Sequence, residues 1–136
     1  MNRKLSNCDY LVCALSFYFP VSLKGLKERW CCITKWLTKI KISPSNDQFV
    51  YFIDDKFLFG IYNPNNNELD NILFARDINE TSIPSNIKII SSYAFDHCIN
   101  LEKVEFSPKS NLETIRLFAF YKSITNLYYS IHNIIL

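Results

Sequence analysis

Residues 83–107 read IPSNIKIISSYAFDHCINLEKVEFS, and this stretch decides the fold because other parts of the chain repeat its pattern. Residues 19–44 carry apolar side chains at the same spacing, 64 residues earlier, and the Ala-Phe pair at 94–95 recurs at 119–120. A repeat of this kind is typical of a solenoid, in which each unit buries its apolar side against its neighbours. The sequence therefore predicts an extended stack of similar units.

The unit 83–107 contains signals for three local structures. The Ile-Pro pair at 83–84 ends an extended segment, because proline biases the residue before it towards extended geometry. The spacing over 91–98 predicts a short helical or 3₁₀ turn, and the alternation over 103–106 predicts a half-buried strand. The following unit predicts a turn near 116–122 and a strand near 126–129, in parallel register with the first strand.

The repeats suggest how the chain is organised. We assign residues 1–18 to a degenerate or uncertain N-terminal segment and residues 19–136 to the repeat domain. Between the units lies a β-rich insert, whose apolar runs at 49–53 and 57–59 flank a polar turn and predict a β-hairpin. We expect the insert to pack on the solenoid edge or to form a separate small sheet. The predicted units are 19–44, 83–107 and 108–131, with the insert at 45–82.

Composition bounds the class of protein. The 136 residues suit one domain, and the net charge of +2 is spread along the chain without the basic stripe of nucleic-acid-binding proteins. The apolar run from Tyr10 to Phe19 is too short to span a bilayer. We interpret it as a worn preceding repeat, and a signal peptide is the alternative because Arg3 and Lys4 precede it.

The cysteines do not form a recognisable framework. Five of them, an odd number, occur without a CxxC pair, and the two histidines complete no zinc-ligand pattern. A module stapled by disulfides is therefore not expected. Cys31 and Cys98 occupy apolar repeat positions, so we interpret them as small core residues with free thiols.

The sequence contains no convincing catalytic group, metal ligand or cofactor motif. Asp54 and Asp55 are adjacent, so in a strand they would point to opposite faces, and a turn role is favoured. His97 is interpreted as a surface or packing residue. Gly25 and Gly60 are too far apart to form a phosphate-binding loop. We therefore expect a protein that is not an enzyme.

The repeat resembles the BspA-like (Treponema-type) leucine-rich repeats. The resemblance lies in the string ISSYAFDHCINL at 90–101 and in IRLFAF at 115–120. More narrowly, the segments at 41–44, 54–60 and 83–87 look like the BspA-like surface antigens expanded in trichomonad protozoa. The resemblance implies an α/β repeat fold, which is a short leucine-rich-repeat solenoid with a parallel sheet face. It also implies a role in adhesion at the cell surface and no catalytic residues.

The alternation in the predicted strand identifies a candidate binding face. If Val104 faces inward, Lys103 and Glu105 face outward, and Tyr128 takes a matching position in the next unit. Exposed aromatic and charged residues often anchor interfaces, so these three are the candidate partner-binding residues. We expect a protein or glycan ligand. An intracellular interaction scaffold in the cytoplasm and a decayed fragment of a longer repeat protein remain as alternatives.

Overall fold

The computed structural model describes residues 3–5, 16–27, 29–32, 36–52, 56–63 and 65–123. Strands account for the regular structure of this part of the chain, in which no helix is present. In chain order the strands are β1 Arg3–Leu5, β2 Ser16–Phe19, β3 Leu23–Leu26, β4 Lys39–Ile42, β5 Phe49–Phe52, β6 Phe57–Ile61, β7 Leu69–Ala75, β8 Glu80–Ile83, β9 Ile89–Ile90, β10 Lys103–Phe106 and β11 Thr114–Ile115.

Two kinds of strand alternate along the chain and define the solenoid. We call β2, β4, β8 and β10 the front strands, and β1, β3, β7, β9 and β11 the back strands. Front strands pair in parallel, β2 with β4 and β8 with β10, and the paired residues are 23 positions apart, as in Lys103 opposite Glu80. Back strands also pair in parallel, β1 with β3 and β7 with β9 and then β11. Each time the chain returns to pair with an earlier strand of the same kind, it completes one coil. This pairing confirms the predicted repeat architecture.

Proline turns link β2 to β3 and β8 to β9. The Leu23 amide donates to the Pro20 carbonyl at 3.1 Å, and the Ile87 amide donates to the Pro84 carbonyl at 3.2 Å. Proline fixes its own φ and cannot donate to a ladder, so the strand ends where it occurs. The strand predicted at 103–106 is present as β10. The strand predicted at 126–129 lies outside the described residues.

The turns predicted as helical at 91–98 and 116–122 are not confirmed. The amides of Ala94 and Asp96 donate to carbonyls three residues earlier, but Tyr93 and His97 have φ values of 61° and 56°. A left-handed residue cannot continue a right-handed helix, so the segment forms a series of separate turns. The same left-handed conformation recurs at Arg29, Phe118 and Lys122.

The insert is built into the solenoid. The predicted hairpin is confirmed, because β5 and β6 pair antiparallel, and β6 then pairs antiparallel with β7. Strand β7 continues in parallel to β9 and β11, which gives one five-stranded sheet. The possibility of a separate small sheet is therefore wrong. The hairpin lies at one edge of this sheet, where Phe57 packs against Phe95.

The core has two parts, which lie on opposite faces of the five-stranded sheet that contains the hairpin. Phe57, Phe59 and Ile72 belong to a cluster inside the C-terminal coils, while Leu58 and Leu73 belong to a cluster with the N-terminal coils. Neighbouring strand residues point to opposite faces, so both faces of this sheet are buried. The insert thus joins the two halves of the core.

Substitution of Phe95 tests whether packing between successive coils stabilises the fold. Its side chain is 0% exposed, stacks on Phe120 with ring centroids 4.6 Å apart, and meets the edge of Phe57 at 5.9 Å. We expect Phe95→Ala to lower the free energy of unfolding by about 3–5 kcal/mol, because it leaves a cavity between coils. Urea denaturation measures this change. Leu117→Ala, at an exposed position, is the matched control, and an equal loss in both variants would contradict the assignment.

Candidate binding surfaces

The structure places two of the three candidate binding residues together. Lys103 and Glu105 are exposed on β10 and form an ion pair. Their hydrogen bond raises the pKa of Lys103 and lowers the pKa of Glu105, so both stay charged across the neutral range. Tyr128 lies outside the described residues. The outward orientation of Lys103 and Glu105 agrees with the predicted alternation, and their role in binding stays a prediction.

Strand β8 adds two residues to this surface that the sequence analysis missed. Glu80 lies opposite Lys103, and Ser82 lies opposite Glu105 and donates its hydroxyl to the carboxylate at 3.4 Å. We call Glu80, Ser82, Lys103 and Glu105 the strand face. The alternation in the sequence could have identified both residues, since Glu80 and Ser82 alternate with buried Thr81 and Ile83 just as the residues of β10 do. The strand face carries charges of both signs, and those of Lys103 and Glu105 pair with each other.

The N-terminal front strands present a different surface. Lys39 and Lys41 are exposed on β4, opposite Ser16 and Tyr18 of β2. Neither lysine has a carboxylate within 4 Å among the described residues. This part of the front is therefore basic, whereas the strand face is mixed.

A groove lies beside β4. It has a volume of about 880 Å³ and is lined by residues 38–44 and by Val50, Lys56, Phe74, Arg76 and Asp77. We call it the β4 groove. Volumes of about 300–1,000 Å³ are usual for ligand sites, so the groove is large enough to hold a ligand.

Arg76 is a buried cation in the wall of this groove. Its side chain is 5% exposed, lies over the Phe74 ring at 4.2 Å, and donates through Nη1 to the carbonyls of Ala75 and Ala94. Its side chain also hydrogen-bonds to the thiols of Cys31 and Cys98. These contacts offset part of the desolvation cost of burying the charge.

Two thiols lie in the core close to Arg76. Cys31 and Cys98 are buried cysteines in the thiol form, and burial raises the pKa of each to about 12 although the Arg76 charge opposes the shift. Cys31 Sγ donates to the Tyr93 carbonyl at 3.5 Å, and Cys98 Sγ donates to the Ala75 carbonyl at 3.2 Å. Both therefore behave as core residues, as the sequence predicted.

Cys32 is disulfide-bonded, although the cysteine pattern led us to expect no disulfide-stapled module. Cysteine counting missed this bond, since an odd number of cysteines leaves one unpaired but does not forbid a pair.

His97 approaches a buried carboxylate. Its Nδ1 atom lies 2.7 Å from Asp96 Oδ1, but the angles do not meet hydrogen-bond geometry. The adjacent Cys98 thiol stays protonated at neutral pH, so it offers no thiolate nucleophile to this pair. Across the described residues, no cluster of three or more His, Cys, Asp or Glu side chains could hold a metal ion. The same part of the chain contains no helix that is long and apolar enough to cross a membrane.

Parallel front and back strands, linked by proline turns and stacked apolar side chains, define a leucine-rich-repeat solenoid. The family model described as "BspA type Leucine rich repeat region (6 copies)" matches residues 67–135, which is just over half of the chain. The chain belongs to this family of BspA-type leucine-rich-repeat proteins.

Two solved structures resemble the chain. The pneumococcal vaccine antigen PcpA is 24% identical, with a TM-score of 0.65, over 80% of this chain and 25% of that one. A leucine-rich repeat protein from Eubacterium ventriosum is 26% identical, with a TM-score of 0.62, over 80% of this chain and 27% of that one. The chain thus spans about a quarter of the length of these proteins. No curated protein matches it.

The buried thiols predict a pattern of alkylation. We expect iodoacetamide at about pH 8 to leave Cys31 and Cys98 unmodified in the folded chain and to modify both in guanidinium chloride, because burial keeps them protonated and shielded. Their folded pKa of about 12 lies above the ordinary 9.0, so their contribution to stability is complete below pH 9.0 and is lost between 9.0 and 12. Peptide mass spectrometry reads the labelling, and rapid labelling of both in the folded chain would contradict their burial.

The Cys32 disulfide predicts sensitivity to reduction. Because a disulfide restricts the unfolded chain, we expect reduction to lower the free energy of unfolding by about 2–4 kcal/mol. Thermal melts with and without a phosphine reductant measure the effect. Cys32→Ser should reproduce the reduced midpoint and be insensitive to reductant, and an unchanged melt in both comparisons would show that the bond is not formed.

Proposed function

We propose that the chain is a non-catalytic binding module whose strand face recognises a protein or glycan ligand. The observation that carries this proposal is the solvent-exposed row of Glu80, Ser82, Lys103 and Glu105 on paired parallel strands. Side chains on such a sheet are held at fixed spacing by the ladder beneath them, so they are preorganised for contact with a partner. Repeat proteins use extended surfaces of this kind for binding.

An adhesion role at the cell surface is the form of this function that we favour. It is supported by the resemblance to BspA-like surface antigens of trichomonads and by the likeness in fold to a pneumococcal vaccine antigen. The disulfide at Cys32 also supports export, because disulfides persist mainly in oxidising compartments. The alternative of a cytoplasmic scaffold has less support for the same reason.

Substitution of the three candidate residues tests the proposal. We expect Lys103→Ala, Glu105→Ala and Tyr128→Ala, combined in one variant, to reduce binding of the labelled protein to cultured epithelial cells and to a glycan array. The substituted groups on β10 are exposed, so the thermal midpoint should stay within about 3 °C of the wild type.

A matched triple variant provides the control. Tyr62, Lys109 and Glu113 are exposed and lie off the strand face, so their combined change to alanine should leave binding intact. Equal binding by both triple variants, or equal loss in both, would overturn the assignment of the strand face. Staining of the tagged chain in cells before and after permeabilisation separates a surface location from a cytoplasmic one.

A further inference from the structure

The β4 groove offers a second surface, independent of the strand face, and its lining combines apolar and basic groups. Phe74 lies in its wall and is buried, while Val50 and Tyr18 beside it are 39% and 62% exposed. Ile42 adds a half-buried aliphatic side chain. Burial of such surface favours an apolar ligand group, because it removes apolar area from water.

The charge of the groove is strongly unbalanced. Lys39, Lys41, Lys56 and Arg76 line it, and Asp77 is its one described acidic group, so the lining is more positive than the whole chain with its net charge of +2. The three lysines have no ion-pair partner among the described residues. An anionic ligand would therefore gain attraction without first breaking an internal ion pair.

Arg76 adds a buried cation to the same groove. It is nine-tenths buried and lines the same groove. A cation held in a region of reduced dielectric acts over a longer range than the surface lysines do. It adds to the positive potential of the groove, and the buried Asp96 carboxylate, which acts on the same two thiols in the opposite sense, offsets part of this effect.

We propose that the β4 groove binds an extended acidic segment of a partner protein. In an extended peptide successive side chains point to opposite sides, so carboxylates can meet Lys39, Lys41 and Lys56 while the alternate apolar side chains contact Ile42 and Val50. A sulfated glycan would match the charge but would leave the apolar lining unused. Lys103 and Glu105 do not line the groove, so this site is separable from the strand face.

A fluorescent ten-residue peptide of alternating Glu and Val tests the proposal by anisotropy with the intact chain. We expect saturable binding, and we expect Lys39→Glu combined with Lys41→Glu to weaken it about tenfold, because each change replaces attraction with repulsion. The control is Lys109→Glu combined with Lys122→Glu, two exposed lysines outside the groove, which should change affinity less than about twofold. Thermal melts establish that both variants fold.

Two further probes decide between ligand classes. A Glu-Ser peptide of equal length and charge should bind at least about fivefold more weakly than the Glu-Val peptide, because it buries no aliphatic surface. A heparin oligosaccharide should compete poorly. Equal affinity for the two peptides, stronger binding of heparin, or no effect of reversing Lys39 and Lys41 would each overturn the proposal. The strand-face triple variant should bind the Glu-Val peptide normally. The experiments can therefore contradict the strand-face proposal and the groove proposal separately.

Discussion

The stacking of each coil on the next is the constraint on which the rest of the structure depends. Phe95 and Phe120 are equivalent residues of successive coils, and their rings lie 4.6 Å apart. The backbone follows the same register, since the Phe95 amide donates to the Ala119 carbonyl at 2.8 Å. A slip by one residue would break these bonds and turn the apolar side chains of the strands outward. Side-chain packing and main-chain bonding therefore select the same alignment.

The insert keeps the coils stacked although it lacks the Ala-Phe pair of the repeats. The coil that contains β7 has no Ala-Phe pair, yet its Ala75 amide donates to the Ala94 carbonyl at 2.7 Å, so the stack of turns continues. Phe57 of the hairpin provides the missing ring, packing edge-on against Phe95. On the other face of the same strand, Leu58 reaches the N-terminal cluster. The hairpin therefore substitutes for a repeat motif, which explains why the array tolerates it.

Local patterns predicted the strands well and the turns poorly. The alternation at 103–106 and the proline at 84 act over a few residues. The structure has the strand and the strand end that they predicted, β10 and the end of β8 at Ile83. Tyr93 and His97 adopt positive φ although neither is glycine, so composition gave no warning of the broken turn. Burial of Arg76 was equally unpredictable, because arginine is rarely buried and its partners come from Ala75 and the distant Ala94. The β4 groove, formed by segments far apart in sequence, could not be found from the sequence.

The two pairs of front strands differ in how their charges are compensated, and this difference follows from strand register. On β10, Lys103 pairs with Glu105 and lies opposite Glu80, so its charge is balanced within the chain. On β4, Lys39 and Lys41 lie opposite Ser16 and Tyr18, which bring no carboxylate. In the part of the chain that the structure describes, β4 and β8 do not pair with each other, and the hairpin intervenes between them in the chain. Lys39 and Lys41 thus have no carboxylate partner among the described residues where the front ladder is interrupted, and the groove opens at this place.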